Sequence, residues 1–461
     1  MTQSASTAQN APHVPGVALR DLLRLTGPLL VSQFAVMGLP LIDTVMAGRL
    51  SAADLAGVAL GMSIYASVFI GMNGVLQALT PIAGHHFGAG RWREIGLDLA
   101  QGHWLALTMA ALGLPLLLIP GPWLTLAGSE PAVAAITREY LLYMALGLPA
   151  SLVARSFIAV NSAVSRPNVT MTINLAVLAL KAPLNLLLMH GAGPVPALGG
   201  AGCGLATALL LWGNALANGA IWRLDPFYDR FRLRARWVRP DLARQKELLR
   251  LGLPAGASLL IEVTSFTFIA ILVARLGAVT LGAHQIIANL VSILFMVPLS
   301  IGIATSVLVA QCLGARAPAA ARQVALRGWW LAVTIGLAAA LALWLGRHAV
   351  VGAYTTDPAV AAIALSLMGL AAVFHVFDAF QGAAGLILRG YKVAFVPMLI
   401  HGSALWGVGL LGGYWLAYAS GIEAMHGATG FWTAAVVGLV LAGVGLSVLA
   451  ESVSRRQPVL K

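Results

Sequence analysis

Three acidic side chains, Asp43, Glu262 and Asp378, sit inside stretches of sequence that are otherwise apolar for twenty residues or more. Two cations, Lys181 and Arg155, do the same. An ionised side chain near the centre of a bilayer costs about 2.5–3.5 kcal/mol on the insertion scale, so such groups mark ion paths, substrate sites or ion pairs. Carboxylate oxygens are hard ligands suited to H⁺ or Na⁺ rather than to soft metals. If Glu262 and Asp378 face one cavity, two like charges in a low dielectric cannot comfortably both stay ionised; one takes a proton or both share a cation. The occupancy of such a pair follows an ion gradient. Thr264, Asn289 and Ser292 are candidate supplementary oxygen donors. His375, three residues before Asp378, shares its helix face and can adjust its protonation, or simply bond to a neighbouring helix. Asp43 with Lys181 reads either as a coupling site or as a buried ion pair. Arg155 lies near the end of its stretch and can snorkel.

The elements that must carry these residues follow from composition. Hydrophobic residues make up 59% of the 461-residue chain and charged residues 10%, with a mean hydropathy of +0.87. A water-soluble domain of this length needs far more charge. The apolar blocks are long enough to cross ~30 Å of hydrocarbon as helices. Twelve spans are expected, at 23–48, 53–80, 96–120, 132–154, 168–190, 199–222, 251–275, 280–312, 324–346, 359–388, 394–418 and 428–450. The fold class is therefore all-α, a polytopic membrane protein. Unpaired backbone in lipid leaves helices as the sensible choice, since no barrel-like alternation is present.

The chain is also two copies of one unit. Glu130-Pro131-Ala132-Val133-Ala134-Ala135-Ile136 returns as Asp357-Pro358-Ala359-Val360-Ala361-Ala362-Ile363, 227 positions on. Trp104-Leu105-Ala106-Leu107-Thr108 returns at 226 as Trp330-Leu331-Ala332-Val333-Thr334. The repeated acid before proline predicts a helix N-cap with proline at the first helical position. Six spans fall in each copy, so the copies share one orientation, as in transporters built of parallel repeats with substrate between the halves. The scaffold is duplicated but the acids are not. Glu262 and Asp378 align with Val36 and Ser151, and Asp43 with Ile269. That asymmetry favours function over a shared folding need.

A formal charge of +12 could suggest nucleic acid, but its distribution reads as topology. With the N-terminus placed in the cytoplasm, 22 Lys and Arg fall on that side and four on the other, a strong positive-inside signal. The expected organisation is a disordered cytoplasmic tail at 1–19, a six-helix lobe at 20–222, a basic linker at 223–250 with Pro226 and Pro240, a second lobe at 251–450, and a tail at 451–461. Cys203 and Cys312 lie in different spans and read as buried small residues.

At this point the residues resemble a family, the multidrug and toxic compound extrusion (MATE) transporters, particularly the bacterial NorM-like branch. The likeness rests on Pro40-Leu41-Ile42-Asp43 through Ser51, Leu55-Ala56-Gly57, Pro183-Leu184-Asn185, Ala197 to Gly202, Gly282-Ala283-His284-Gln285, Gln311-Cys312-Leu313-Gly314 and Asp378-Ala379-Phe380-Gln381-Gly382. It implies two six-helix lobes that export small organic cations in exchange for Na⁺ or H⁺ across a bacterial inner membrane. It further implies Glu262 and Asp378 as the cation-site acids, Na⁺ ligands if the ion is Na⁺, and Asp43 as the first-helix acid, with Asn185 and Lys181 as supporting candidates. Two departures stand out. Phe374 replaces a tyrosine often found one turn before the tenth-helix acid, and Lys181 stands where a neutral polar residue is expected. The reading has no cofactor beyond the coupling ion, the bilayer and the exported cation as partners, no nucleic acid, and a monomer. The rival is a flippase or exporter of lipid-linked precursors or other metabolites, which needs several basic residues in its cavity. Ten scattered histidines show no ligand spacing, which speaks against an intramembrane enzyme.

Overall fold

The computed structural model describes residues 18–233 and 238–456. Twelve helical segments are long and apolar enough to cross a membrane. They are α1 (Leu19–Gly48), α2 (Ala52–Gly88), α3 (Trp92–Leu118), α4 (Pro131–Ala163), α5 (Pro167–His190), α6 (Gly199–Leu224), α7 (Leu242–Ala274), α8 (Ala278–Gly314), α9 (Pro318–Leu345), α10 (Pro358–Gly390), α11 (Phe395–Tyr418) and α12 (Ala428–Arg456). The described chain contains no strand, only an isolated bridge between Ala192 and Val195. It is a multi-pass, all-α membrane protein.

The chain forms two compact units. The first runs from Gly27 to Gly256; the second starts at Ala257 and includes residues 18–26. Within the first, α4 is the most buried span, and small residues let its neighbours approach. A Cβ on Gly61 of α2 would lie 2.4 Å from the Tyr140 ring of α4. Within the second, a Cβ on Gly328 of α9 would sit 2.0 Å from Thr305 of α8. Close backbone approach of this kind is how helices associate where lipid offers no hydrophobic gradient.

The duplication is written in the backbone as well as in the residues. Helices α2, α4, α8 and α10 end in the same way, with a left-handed residue followed by a six-to-one hydrogen bond. These bonds run from Arg91 N to His86 O, Arg166 N to Asn161 O, Ala317 N to Cys312 O and Val393 N to Leu388 O. The left-handed positions are Gly90, Ser165, Arg316 and Lys392, with φ between 59° and 67°. This is the Schellman stop, which satisfies orphan carbonyls at a helix end. Three of the four lack glycine, so the sequence does not announce them. Short helices at Gly121–Ala127 and Arg347–Tyr354 also recur.

Several boundaries differ from expectation. The seventh helix begins at Leu242, inside the presumed linker, because Leu242 to Arg250 is built of good helix formers that are too charged to register as apolar. The linker opens with a 3₁₀ turn at Pro226–Phe231, capped by the Asp225 carboxylate accepting from Phe227 N. Gln101 of α3 donates to Arg239 O and accepts from Asp241 N, each at 2.9 Å, and Trp104 donates to Val238 O at 2.8 Å. The linker is therefore docked on the first unit. Its repeat counterpart, Trp330, is 58% exposed. The twelfth helix runs to Arg456 rather than ending at 450. The two acid caps are unequal. Asp357 accepts from Ala359 N at 2.8 Å, whereas Glu130 makes no side-chain cap bond; its longer side chain leaves proline to begin the helix. The N-terminal tail up to residue 17 and residues 457–461 lie outside the described residues.

Candidate cation sites in the two units

In the second unit, α7 carries Glu262 and α10 carries Asp378. The two carboxylates lie within electrostatic range of each other, and Arg389 near the end of α10 lies within range of Glu262. Asp378 is buried, 6% exposed. Its Oδ1 accepts a hydrogen bond from Gln381 Nε2 at 3.1 Å. The other end of that amide, Gln381 Oε1, is 2.8 Å from His401 Nε2 on α11. Among the described residues neither acid is ion-paired, and no hydrogen bond reaches Glu262.

The other residues expected here divide. Phe374 is part of the apolar core, edge-on to Phe266 at 5.6 Å and to Trp432 at 5.3 Å. His375 is buried, and neither ring nitrogen has a hydrogen-bond partner among the described residues, so it makes no hydrogen bond to Asp378. Thr264 donates to Leu260 O at 2.5 Å and Ser292 to Ala288 O at 2.7 Å, so both hydroxyl protons are spent on their own helices. Asn289 Oδ1 accepts from Tyr354 Oη at 2.7 Å and makes no hydrogen bond to either acid among the described residues.

The first unit finishes its acid differently. Lys181 Nζ of α5 is 2.8 Å from Asp43 Oδ1 of α1, both side chains nearly inaccessible. The ammonium also meets Thr207 Oγ1 at 2.5 Å and Cys203 O at 3.3 Å, both on α6. Three donors thus find three acceptors. Asn185 Nδ2, one turn along α5, adds a 2.7 Å bond to Asp43. The position matching Asp378 holds Ser151, which accepts from Tyr65 Oη at 3.3 Å and donates to Leu148 O. The Arg155 guanidinium lies 5.6 Å from the Phe69 ring centroid.

Sequence reasoning missed a chain of amides in this unit. Tyr228 Oη donates to Asn161 Oδ1 at 2.9 Å, and Asn161 Nδ2 to Asn218 Oδ1 at 3.0 Å. Asn218 donates to Asn214 Oδ1 at 2.9 Å, Asn214 to Asn174 Oδ1 at 3.0 Å, and Asn174 to Ser32 Oγ at 2.7 Å. The signal was available, as asparagines within apolar spans need partners. His401 gave no local signal, being twenty residues from Gln381 on another helix.

Comparison with known proteins agrees with this architecture. The MatE family model matches residues 28–187 and 254–415, one block in each repeat. A probable multidrug resistance protein NorM from Aromatoleum aromaticum is 44% identical over 451 residues, 97% of each chain. One from Neisseria meningitidis serogroup B is 38% identical over 445 residues, 95% of each. Among solved structures, the eukaryotic MATE transporter AtDTX14 superposes with a TM-score of 0.85 at 20% identity, covering 95% of this chain and 97% of that one. The Vibrio cholerae MATE transporter VcmN in its bent form does so at 0.81 and 19%, covering 98% of each. The chain belongs to the MATE family of membrane transporters, in its NorM-like branch, and is not an enzyme.

Proposed function

We propose that this protein is a multidrug efflux antiporter of the bacterial inner membrane, with both termini cytoplasmic, exporting organic cations in exchange for Na⁺ or H⁺. The names of its relatives support multidrug export, and the 22-to-4 bias of basic residues supports the orientation. One observation carries the coupling. Glu262 and Asp378 are two mutually repelling acids on α7 and α10 without an ion-paired lysine or arginine among the described residues. Such a pair gains most from an incoming cation, and Arg389, though within electrostatic range of Glu262, forms no ion pair with either acid among the described residues. The membrane potential contributes about 2.3 kcal/mol per charge per 100 mV to an inward cation.

Asp43 takes a different part. Its carboxylate is already held by Lys181, Asn185 and the buried frame around them, so exchange runs through the second unit. Ion binding at Glu262 and Asp378 favours one state of the transporter and drug binding the other, and the difference in affinity couples them.

Dye efflux from proteoliposomes, under separately imposed Na⁺ and proton gradients, tests this reading. Asp378→Asn and Glu262→Gln should each reduce driven ethidium efflux at least about tenfold, within the range of about 5–150-fold that a lost coupling free energy spans, with the protein still folded. Undiminished efflux in either variant removes the assignment, and the gradient that drives wild type identifies the ion.

A further inference from the structure

Among the described residues Gln381 is the one side chain that hydrogen-bonds Asp378, and it is held in turn by His401. A primary amide has two unlike ends, a donor NH₂ and an acceptor oxygen, in nearly the same shape. Which end faces Asp378 determines what Asp378 must be. With the NH₂ toward it, the acid receives a donor and is served as a carboxylate. With the oxygen toward it, only a protonated acid, which can donate, completes the bond.

His401 decides between them. With Gln381 Nε2 donating to Asp378 Oδ1 at 3.1 Å, the amide oxygen faces His401 Nε2 at 2.8 Å and can only accept. His401 Nε2 therefore carries the ring proton. Its Nδ1 is buried and has no hydrogen-bond partner among the described residues. Reversing the amide would require His401 to accept at Nε2 and to carry its proton on Nδ1, where no acceptor waits. A buried donor without an acceptor is costly, so the histidine holds the amide in the sense seen.

We propose that His401 is a positioning residue of the cation site, which commits Gln381 to present its NH₂ to Asp378 and so keeps that carboxylate ready for an incoming cation. The backbone around His401 is unusual in a way that fits. Helix α11 is α-helical through His401 and π-helical from Gly402 to Gly412; π turns inside helices are rare and gather at functional places. At the repeat shift of 227, His401 falls where the first unit has Asn174. Asn174 bonds Ser32 and Asn214 and no acid, so the orienting role belongs to the second unit alone. The charged groups around this relay are Glu262 on α7 and Arg389 on α10, the latter within electrostatic range of His401.

The inference rests on Asp378 being the coupling acid, and the test separates the two. In the proteoliposome assay, driven by whichever gradient works for wild type, the coupling ion is varied and its half-saturating concentration and the maximal rate are read separately. His401→Leu should raise the half-saturating concentration about fivefold or more, the effect of one weakened hydrogen bond to a charged group, while the maximal rate stays within about twofold. His401→Gln, whose amide nitrogen reaches the place of Nε2, should restore a near-normal value. Should the leucine variant fail to reach the membrane, Gln381→Met removes the oriented amide itself and carries the same expectation. Unchanged kinetics in His401→Leu or Gln381→Met, or a glutamine variant as impaired as the leucine one, overturn the positioning role. Asp378→Asn, run alongside, shows which idea failed: full activity there removes the coupling site, and loss there with an unaffected His401→Leu removes only the positioning role.

Discussion

In the first unit Asp43 meets an ammonium at 2.8 Å and an amide at 2.7 Å. In the second, Asp378 meets only an amide, at 3.1 Å, and Glu262 meets no hydrogen bond among the described residues. The same six-helix frame therefore carries one acid that is already neutralised and two that are not. Charge placed in an apolar interior must be compensated. Where the compensation is part of the chain it is permanent, and where it is absent it must come from outside, and so can come and go. The difference between the units is the difference between a fixed ion pair and an exchangeable one.

The largest effect should come from breaking the fixed pair. Lys181→Met leaves Asp43 as an uncompensated buried carboxylate and takes the ammonium from Thr207 Oγ1, which still donates to Cys203 O at 2.8 Å; removing one partner of a buried pair costs ~3–5 kcal/mol. Thermal melting of the purified protein in detergent should show a marked loss for Lys181→Met. Most of it should return in the double variant Asp43→Asn, Lys181→Met, because similar-sized apolar or neutral replacements of a buried pair are often near neutral. The double variant should also keep driven efflux. A double variant that melts like wild type but no longer transports would place Asp43 among the coupling acids and erase the contrast between the units.

How much of this contrast was open to a reader of the sequence depended on the range of the interaction. The twelve spans and the duplication were legible because hydropathy and repeated blocks are properties of neighbouring residues. Asp43, Glu262 and Asp378 were legible for the same reason, as acids in apolar runs. The partner of Asp43 was narrowed to Lys181 by charge balance, but its direct contact, and the Thr207 and Cys203 acceptors, depend on how α1, α5 and α6 pack. Phe374 shows the limit from the other side. The missing hydroxyl could be read from the sequence, whereas the ring's place between Phe266 and Trp432 is tertiary. The Schellman stops at Ser165, Arg316 and Lys392 were hidden because their left-handed positions are not glycine, the residue by which such a stop is read from sequence. Leu242 to Arg250 was misassigned because charge obscures a helix that hydropathy alone cannot see.

A second, smaller effect tests whether the first unit is held by polar bonds where the second is held by apolar packing. Asn214 lies mid-chain in the run from Tyr228 to Ser32, and its counterpart at a shift of 227 is Leu441. Asn214→Ala would leave Asn174 Oδ1 without its donor, at ~1–3 kcal/mol for the orphaned group, while Asn218 Nδ2 would keep the backbone carbonyl of residue 214 at 3.0 Å. Melting should show a loss of that size, smaller than for Lys181→Met. Leu441 is exposed, so Leu441→Ala should change stability by less than about 0.5 kcal/mol, as surface changes usually do. Equal losses at the two positions would deny the units their different means of cohesion.

The smallest effect concerns the end of that amide run, where Tyr228 belongs to the 3₁₀ turn of the linker. Asp225 caps this turn: its carboxylate accepts from Phe227 N at 2.9 Å, which holds it below the usual carboxylate range, and the Arg166 guanidinium at 2.5 Å lowers it further. A group whose folded value is depressed contributes stability above its unfolded value, about 3.9 for aspartate, and loses it as the pH falls through the lower folded value. The turn should therefore keep its attachment at neutral pH and loosen only in acid, below about pH 4. Because the pair is a third exposed, solvent screens it and the effect is small. Hydrogen exchange of residues 225–233 in detergent should accelerate between pH 4 and lower pH beyond the intrinsic rate, and Asp225→Asn should show that faster exchange already at neutral pH. If exchange in this segment ignores both pH and the substitution, the aromatic contacts of Phe227, Tyr228 and Phe231 with Trp222 suffice to hold the linker to the first unit. The polar character assigned to that unit would then end at Asn161 and not extend to the segment that joins the two halves.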